Sequence, residues 1–234
     1  MLTTMPRMQK LKAKFEVRLG IRDNTNTWTI PFFGPKICYI PIPKAANTSM
    51  RYSLLPLLNL APSDVHDVHK DNRIPKMRSS GFLQTYDPSW FVFSIVRHPA
   101  ARAYSAYKDK LLRPTVPFRR LSEMGLKKGD TFETFLSALQ DWPIKALNDH
   151  FLPQSELLSR FLPASEISVY RLEDVGEWWK TLDGETFARS GLNLGALRNL
   201  NETNNGVEKE FSHAEKSIIH DLYHRDFETF GYQL

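Results

Sequence analysis

The hydrophobic positions of this 234-residue chain fall into two kinds of run. The first kind is continuous. Lys36 to Ile42 is apolar and β-rich, and Pro43 ends it. Trp90 to Val96 reads WFVFSIV, and Ile167 to Tyr170 is a third candidate strand. Continuous rather than alternating apolarity predicts strands covered on both faces, as in a parallel sheet. The second kind has helical spacing. Thr48 to Leu55 follows the first run and is limited by Pro56. Pro99 stands where a helix begins, and Ala103, Tyr104, Tyr107 and Leu111 form its apolar stripe. Asp130 with Glu133 reads as a capping pair for Phe132, Phe135, Leu136 and Leu139. Ser212 with Glu215 reads as a capping box for Ile218, Ile219, Leu222 and Tyr223, and Gly231 lies beyond the end.

Strand followed by helix, repeated, predicts an α/β fold: a single domain with a mostly parallel central sheet flanked by helices. Segments 60–88 and 183–210 carry no clear period. No repeat or low-complexity linker divides the chain. The expected organisation is a basic N-terminal segment, 1–30, followed by one domain, 31–234. In the N-terminal segment Met8, Leu11, Phe15 and Leu19 recur at helical spacing among Arg7, Lys10, Lys12, Lys14 and Arg18. A basic amphipathic helix of this kind can rest on a membrane surface. The competing reading is a solvated helix or frayed terminus.

Composition narrows the class. Hydrophobic residues make up 41% and aromatics 12%, enough for a core, which excludes a disordered chain. Lys plus Arg is 31 against 26 for Asp plus Glu, a formal charge of +5, which suits an anionic ligand. The charge alone does not make a nucleic-acid binder, because no basic-aromatic ladder or nucleic-acid motif accompanies it. Cys38 is the single cysteine, so an intramolecular disulfide or a cysteine zinc cluster is excluded. The first twenty residues lack the apolar core of a signal peptide. The most apolar stretch, Trp28 to Pro43, is broken by Pro31, Gly34, Pro35, Lys36 and Pro41, so it reads as no membrane span. A soluble cytoplasmic protein is the expectation.

The candidate chemistry gathers in two places. The run Pro43-Lys44-Ala45-Ala46-Asn47-Thr48-Ser49 joins a buried strand to a helix start. Small side chains let a ligand approach the backbone, first-turn N–H groups point at it, and the helix dipole favours negative charge. Thr48 and Ser49 add hydroxyls and Lys44 a cation. These are the elements of a phosphate-binding loop without glycines, and G-x-x-x-x-G-K-[ST] is absent. An ordinary capped strand–turn–helix is the competing reading. The second place is Arg97 at the end of the second strand, followed by Pro99, Arg102 and Ser105. Strand carboxyl ends bind ligands in open α/β sheets, and Arg can grip phosphate by a bidentate fork. Ser105 shares a helix face with Arg102 and Asp109.

Together these stretches resemble the PAPS-dependent sulfotransferases. Pro43-Lys44-Ala-Ala-Asn-Thr48-Ser49 looks like their 5′-phosphosulfate loop, and Arg97-x-Pro99-x-x-Arg102-x-x-Ser105-x-Tyr107 like their 3′-phosphate motif. The form is closest to the Golgi-type carbohydrate group, sulfotransferase family 2, and its bacterial relatives. His150-Phe151-Leu152-Pro153-Gln154, Tyr170-Arg-Leu-Glu173-Asp174 and the ending Tyr223 to Tyr232 are weaker matches in the expected order. Ala46 and Asn47 depart from the Cys or Ser and Thr common in relatives. No stretch of the given sequence resembles the membrane anchor of Golgi members; the expectation is a bacterial-type soluble enzyme, which the initial Met favours, and the alternative is a trimmed chain.

The resemblance implies a P-loop-NTPase-like sulfotransferase fold and the donor 3′-phosphoadenosine 5′-phosphosulfate (PAPS), leaving 3′,5′-adenosine bisphosphate (PAP). Lys44 would hold the bridging oxygen. The backbone of Ala45, Ala46, Asn47, Thr48 and Ser49, with the Thr48 and Ser49 hydroxyls, would cradle the 5′-phosphate. Arg97 and Ser105 would bind the 3′-phosphate. No metal is implied. The acceptor would be a hydroxyl of a carbohydrate or glycolipid, and its general base a histidine. His69 and His150 are the candidates, ranked equally. His98, His213, His220 and His224 are expected to be packing or surface residues. A metal reading of His66 and His69 with Asp64 and Asp67 is set aside for want of a defined ligand set. The alternatives are a P-loop-like nucleotide-binding kinase and an inactive homologue that only binds nucleotide.

Overall fold

A computed structural model of the chain describes residues 4–18, 27–197 and 209–233. In chain order the elements are α1 (Thr4–Arg18), β1 (Trp28–Phe32), β2 (Ile37–Ile40), α2 (Asn47–Ser53), β3 (Met77–Arg78), α3 (Ser79–Thr85), β4 (Phe91–Val96), α4 (Pro99–Tyr107), α5 (Arg119–Glu123), α6 (Phe132–Gln140), α7 (Gln154–Leu158), β5 (Ser168–Arg171), α8 (Val175–Ser190) and α9 (His213–Phe230). A π-helical turn over Lys108–Leu112 follows α4. The chain gathers into two compact units. The sheet unit comprises residues 26–97 and 158–204, and the helical unit 1–25, 98–157 and 205–234.

The sheet has the order β3-β1-β2-β4-β5. β2, β4 and β5 run parallel, as the continuous apolar runs of β2 and β4 predict. β1 is antiparallel to both β2 and β3, so the sheet is mixed rather than mostly parallel. The cause is a hairpin over residues 33–36. Lys36 N–H returns to the Phe33 carbonyl at 3.3 Å, and Lys36 takes φ 52. Pro31 is tolerated in β1 because β3 pairs only with Trp28 and Thr29. All four residues of β2 are buried. Ser94, the polar break in β4, is satisfied by donating to the Ile40 carbonyl at 2.8 Å.

The core of this unit joins Ile30, Tyr39, Phe93 and Ile95 of the sheet to Met50 and Leu54 beside α2 and to Trp178 and Leu182 of α8. Trp178 stacks on Tyr170 at 5.0 Å. Each large side chain buried this way contributes roughly 1.5–3 kcal/mol. Burial drives the Cys38 thiol far above its usual range, so it stays protonated and unreactive. The ambiguous segment 60–88 holds β3 and α3, and residues 183–190 continue α8. The remainder of 183–210 beyond residue 197 lies outside the described residues except for 209 and 210.

In the helical unit α6 buries Phe132, Phe135, Leu136 and Leu139, at the expected i, i+3, i+4, i+7 spacing. Its cap is Thr131, not Asp130. Thr131 Oγ1 accepts from Thr134 N–H at 3.2 Å, while Asp130 accepts from Lys127 N–H at 2.8 Å and closes the preceding turn. The Ser212–Glu215 capping box forms as its spacing predicts, with bonds of 3.1 and 2.9 Å. Gly231 ends α9 in the left-handed region at φ 67. α1 buries Ala13 and pairs Lys10 with Asp141 at 3.1 Å. Leu19, expected on its stripe, lies outside the described residues.

A buried polar lock holds the segment 149–155 of this unit. Arg102 of α4, only 1% exposed, donates to the carbonyls of Leu152 at 2.8 Å and Asp149 at 2.7 Å. Tyr223 of α9 donates to the Phe151 carbonyl at 3.0 Å. Asp226 of α9 accepts from Gln154 N–H at 2.9 Å, and from Ser155 N–H at 2.8 Å and its hydroxyl at 2.7 Å. The Asp226 carboxylate thereby satisfies first-turn donors of α7 that the helix itself cannot.

Candidate active site

The carboxyl ends of β2 and β4 are neighbours, since the strands are parallel and Ile40 sits opposite Ser94. From β2 the chain turns through residues 41–46 into α2. Two residues of the turn are left-handed without being glycine, Lys44 at φ 69 and Ala46 at φ 53. Such a conformation costs roughly 1–2 kcal/mol per residue, and it persists only where the surroundings impose it. Ala46 occupies the N-cap position of α2 and offers no side-chain oxygen to the helix. The first helical bond is Met50 N–H to the Ala46 carbonyl, 2.9 Å. Ala45 and Ser49 are buried, while Lys44, Ala46, Asn47 and Thr48 are half-buried.

Three further side chains reach this turn. Arg97, one residue past β4, donates Nη1 to the Lys44 carbonyl at 3.3 Å. His69 Nε2 lies 3.0 Å from Thr48 Oγ1. Its own segment holds it there. Asp67 accepts from His69 N–H at 2.9 Å, and Lys76 donates to the His69 carbonyl at 2.6 Å. The bond from His69 N–H is also the main cause that keeps the Asp67 carboxyl below its ordinary value. Arg51, one turn into α2, donates Nε to Asn47 Oδ1 at 2.8 Å.

Arg51 was not legible as a site residue in the sequence. The available signal is its i, i+4 spacing from Asn47, at the start of the helix that carries the chemistry. It is 7% exposed, and its Nη1 has no hydrogen-bond partner. The Tyr39 hydroxyl is fully buried and likewise has none. Burial lowers the Arg51 pKa and raises that of Tyr39 far above its usual range, while their mutual attraction opposes both shifts.

Lys44, Thr48, His69 and Arg97 therefore converge within the sheet unit. Ser105 and His150 belong to the helical unit. Ser105 is buried on α4, at 9% exposure. Arg102, expected to share a helix face with Ser105, is part of the buried lock. His150 Nδ1 lies 2.6 Å from Asn148 Oδ1, and its ring packs near Phe118 and Phe151. His98 packs on Phe227 and Tyr232 and bonds the Gln233 carbonyl at 2.7 Å, a packing residue as expected.

A strand–turn–helix with a lysine in the turn, an arginine from the adjacent parallel strand and an imidazole on its hydroxyl has the charge and donors to receive an anionic group. The chain matches the model of the Sulfotransferase family over residues 34–233, a stretch that takes in all of these residues. It belongs to the sulfotransferase family and is thereby a transferase of sulfuryl groups. Neither the curated proteins nor the solved structures compared contain a significant match to it.

Proposed function

We propose that the protein transfers a sulfuryl group from 3′-phosphoadenosine 5′-phosphosulfate to a hydroxyl of a carbohydrate or glycolipid acceptor. The observation that carries the reading is the junction of Arg97 and His69 on the Lys44–Thr48 turn. The turn suits a donor with anionic groups at both ends. It places a lysine and an arginine at adjacent strand tips and leaves first-turn amides of α2 without a side-chain cap. The donor supplies the activated sulfuryl group. Lys44 meets the negative charge that develops on the bridging oxygen as the S–O bond breaks. Thr48, Ser49 and the backbone of residues 45–49 hold the 5′-phosphate, and Arg97 holds the 3′-phosphate. As the acceptor oxygen bonds to sulfur, its proton passes to His69 Nε2. Positioning and charge stabilisation supply the rate, as in phosphoryl transfer. His69 takes precedence over His150 as the base because it is hydrogen-bonded to the loop.

The test has two parts. Thermal shift with 3′,5′-adenosine bisphosphate should exceed that with ATP–Mg²⁺. A preference for ATP would favour a kinase. Labelled donor is then offered to glycans, glycolipids and small phenols. Transfer to a saccharide is the expected result, and nucleotide binding without transfer to any acceptor would mark an inactive homologue. Arg97→Ala should weaken nucleotide binding about 10–100-fold, the worth of one charged hydrogen bond. Lys44→Ala should lower turnover by ~10²–10³ with little change in binding. His69→Ala should lower it by about 10². Loss of that size in His150→Ala, with His69→Ala fully active, would transfer the base to His150.

A further inference from the structure

We propose that α1 seats the protein on an anionic lipid surface. Met8, Leu11 and Phe15 recur along this helix at i, i+3 and i+7 and are 69, 60 and 62% exposed. Among the described large hydrophobic residues only Val116, at 72%, is more exposed. The opposite side carries Ala13, fully buried, and Lys10, tied to Asp141. The helix thus presents Ala13 and the tethered Lys10 to the helical unit, and Met8, Leu11 and Phe15 to solvent. An ordinary surface helix does the reverse.

Charge decides the occupant. At about 100° per residue, Leu11 and Phe15 fall within roughly 60° of Met8 around the axis. Arg7 and Lys14 border this arc on one side and Lys12 on the other, and all three are exposed. Glu16 is the one acid between Thr4 and Arg18, and it lies 3.9 Å from Lys12. An apolar wedge inside a cationic collar is complementary to a bilayer with anionic headgroups, where the side chains enter the acyl boundary and the cations meet phosphate. A second copy of the chain on the same stripe would set these cations against their own images. With 15 residues the helix is about 22 Å long. It lies in the interface rather than across it, and no helix among the described residues is long and apolar enough to span a bilayer.

Flotation of the full chain with phosphatidylcholine vesicles, with and without phosphatidylserine, tests this. Binding is expected only to the phosphatidylserine vesicles, weaker at high salt. The double variant Leu11→Ser/Phe15→Ser should lower partitioning about tenfold or more. Lys12→Glu/Lys14→Glu should do the same. Both should melt at the wild-type temperature, because the altered side chains face solvent. No flotation with anionic vesicles, or flotation that neither double variant changes, overturns the proposal. So does a lipid-free dimer that Leu11→Ser/Phe15→Ser abolishes.

Discussion

Replacing Arg102 by methionine isolates the cost of unfastening the segment 149–155. The guanidinium makes two bonds to main-chain oxygen, 2.8 Å to Leu152 and 2.7 Å to Asp149. A charged hydrogen bond contributes about 1.5–3 kcal/mol, so the two together supply roughly 3–6 kcal/mol. Methionine fills the stem's volume and removes a cation whose burial is itself unfavourable, as its lowered pKa shows. It also leaves two buried carbonyls without a donor. The net loss should be about 2–4 kcal/mol, a large share of a typical total of roughly 5–15 kcal/mol. Urea unfolding at an unchanged m value measures it. Arg102→Lys keeps the charge, but a single ammonium does not reproduce the fork, so it should fall between methionine and wild type. Hydrogen exchange should show the amides of Gln154 and Ser155, which donate to Asp226, losing protection in the methionine variant. If both variants lie within about 1 kcal/mol of wild type, the lock is not held by this arginine.

Ala46→Gly should stabilise the fold by about 0.5–1 kcal/mol, since relief at φ 53 outweighs the added freedom of the unfolded chain. Denaturant midpoints check it, and a loss of stability would show that the turn carries no strain there. Tyr39→Phe removes a buried hydroxyl with no hydrogen-bond partner, so it should be neutral or stabilising by up to about 1 kcal/mol. A destabilisation beyond about 1 kcal/mol in thermal or urea melts would show that the hydroxyl is serving Arg51.

How much was legible follows from the range of each interaction. β2 and β4 could be read because burial on both faces leaves a continuous apolar run. β1 could not, because its pattern contains Pro31 and only its neighbours show that this position is harmless. The capping box at Ser212 is a contact over three residues and was visible. At α6 two candidate caps stood side by side, and Thr131 prevailed. In the site, Lys44, Thr48 and Arg97 announced themselves by type and position. His69 was one histidine among several, and only folding shows it against a residue 21 positions earlier. The place of Arg102 in the buried lock could not be read, because its partners, 47 and 50 residues away, leave no trace in local pattern.

The lock on residues 149–155 also sets an order of events during synthesis. The ribosome adds Asp226 72 residues after Gln154. At about 5–20 residues per second, that is roughly 4–14 s in which the nascent chain carries Gln154 and Ser155 without the carboxylate that caps them. Those seconds are the window in which a chaperone would find this protein, and in which a slowed translation rate would most change its yield.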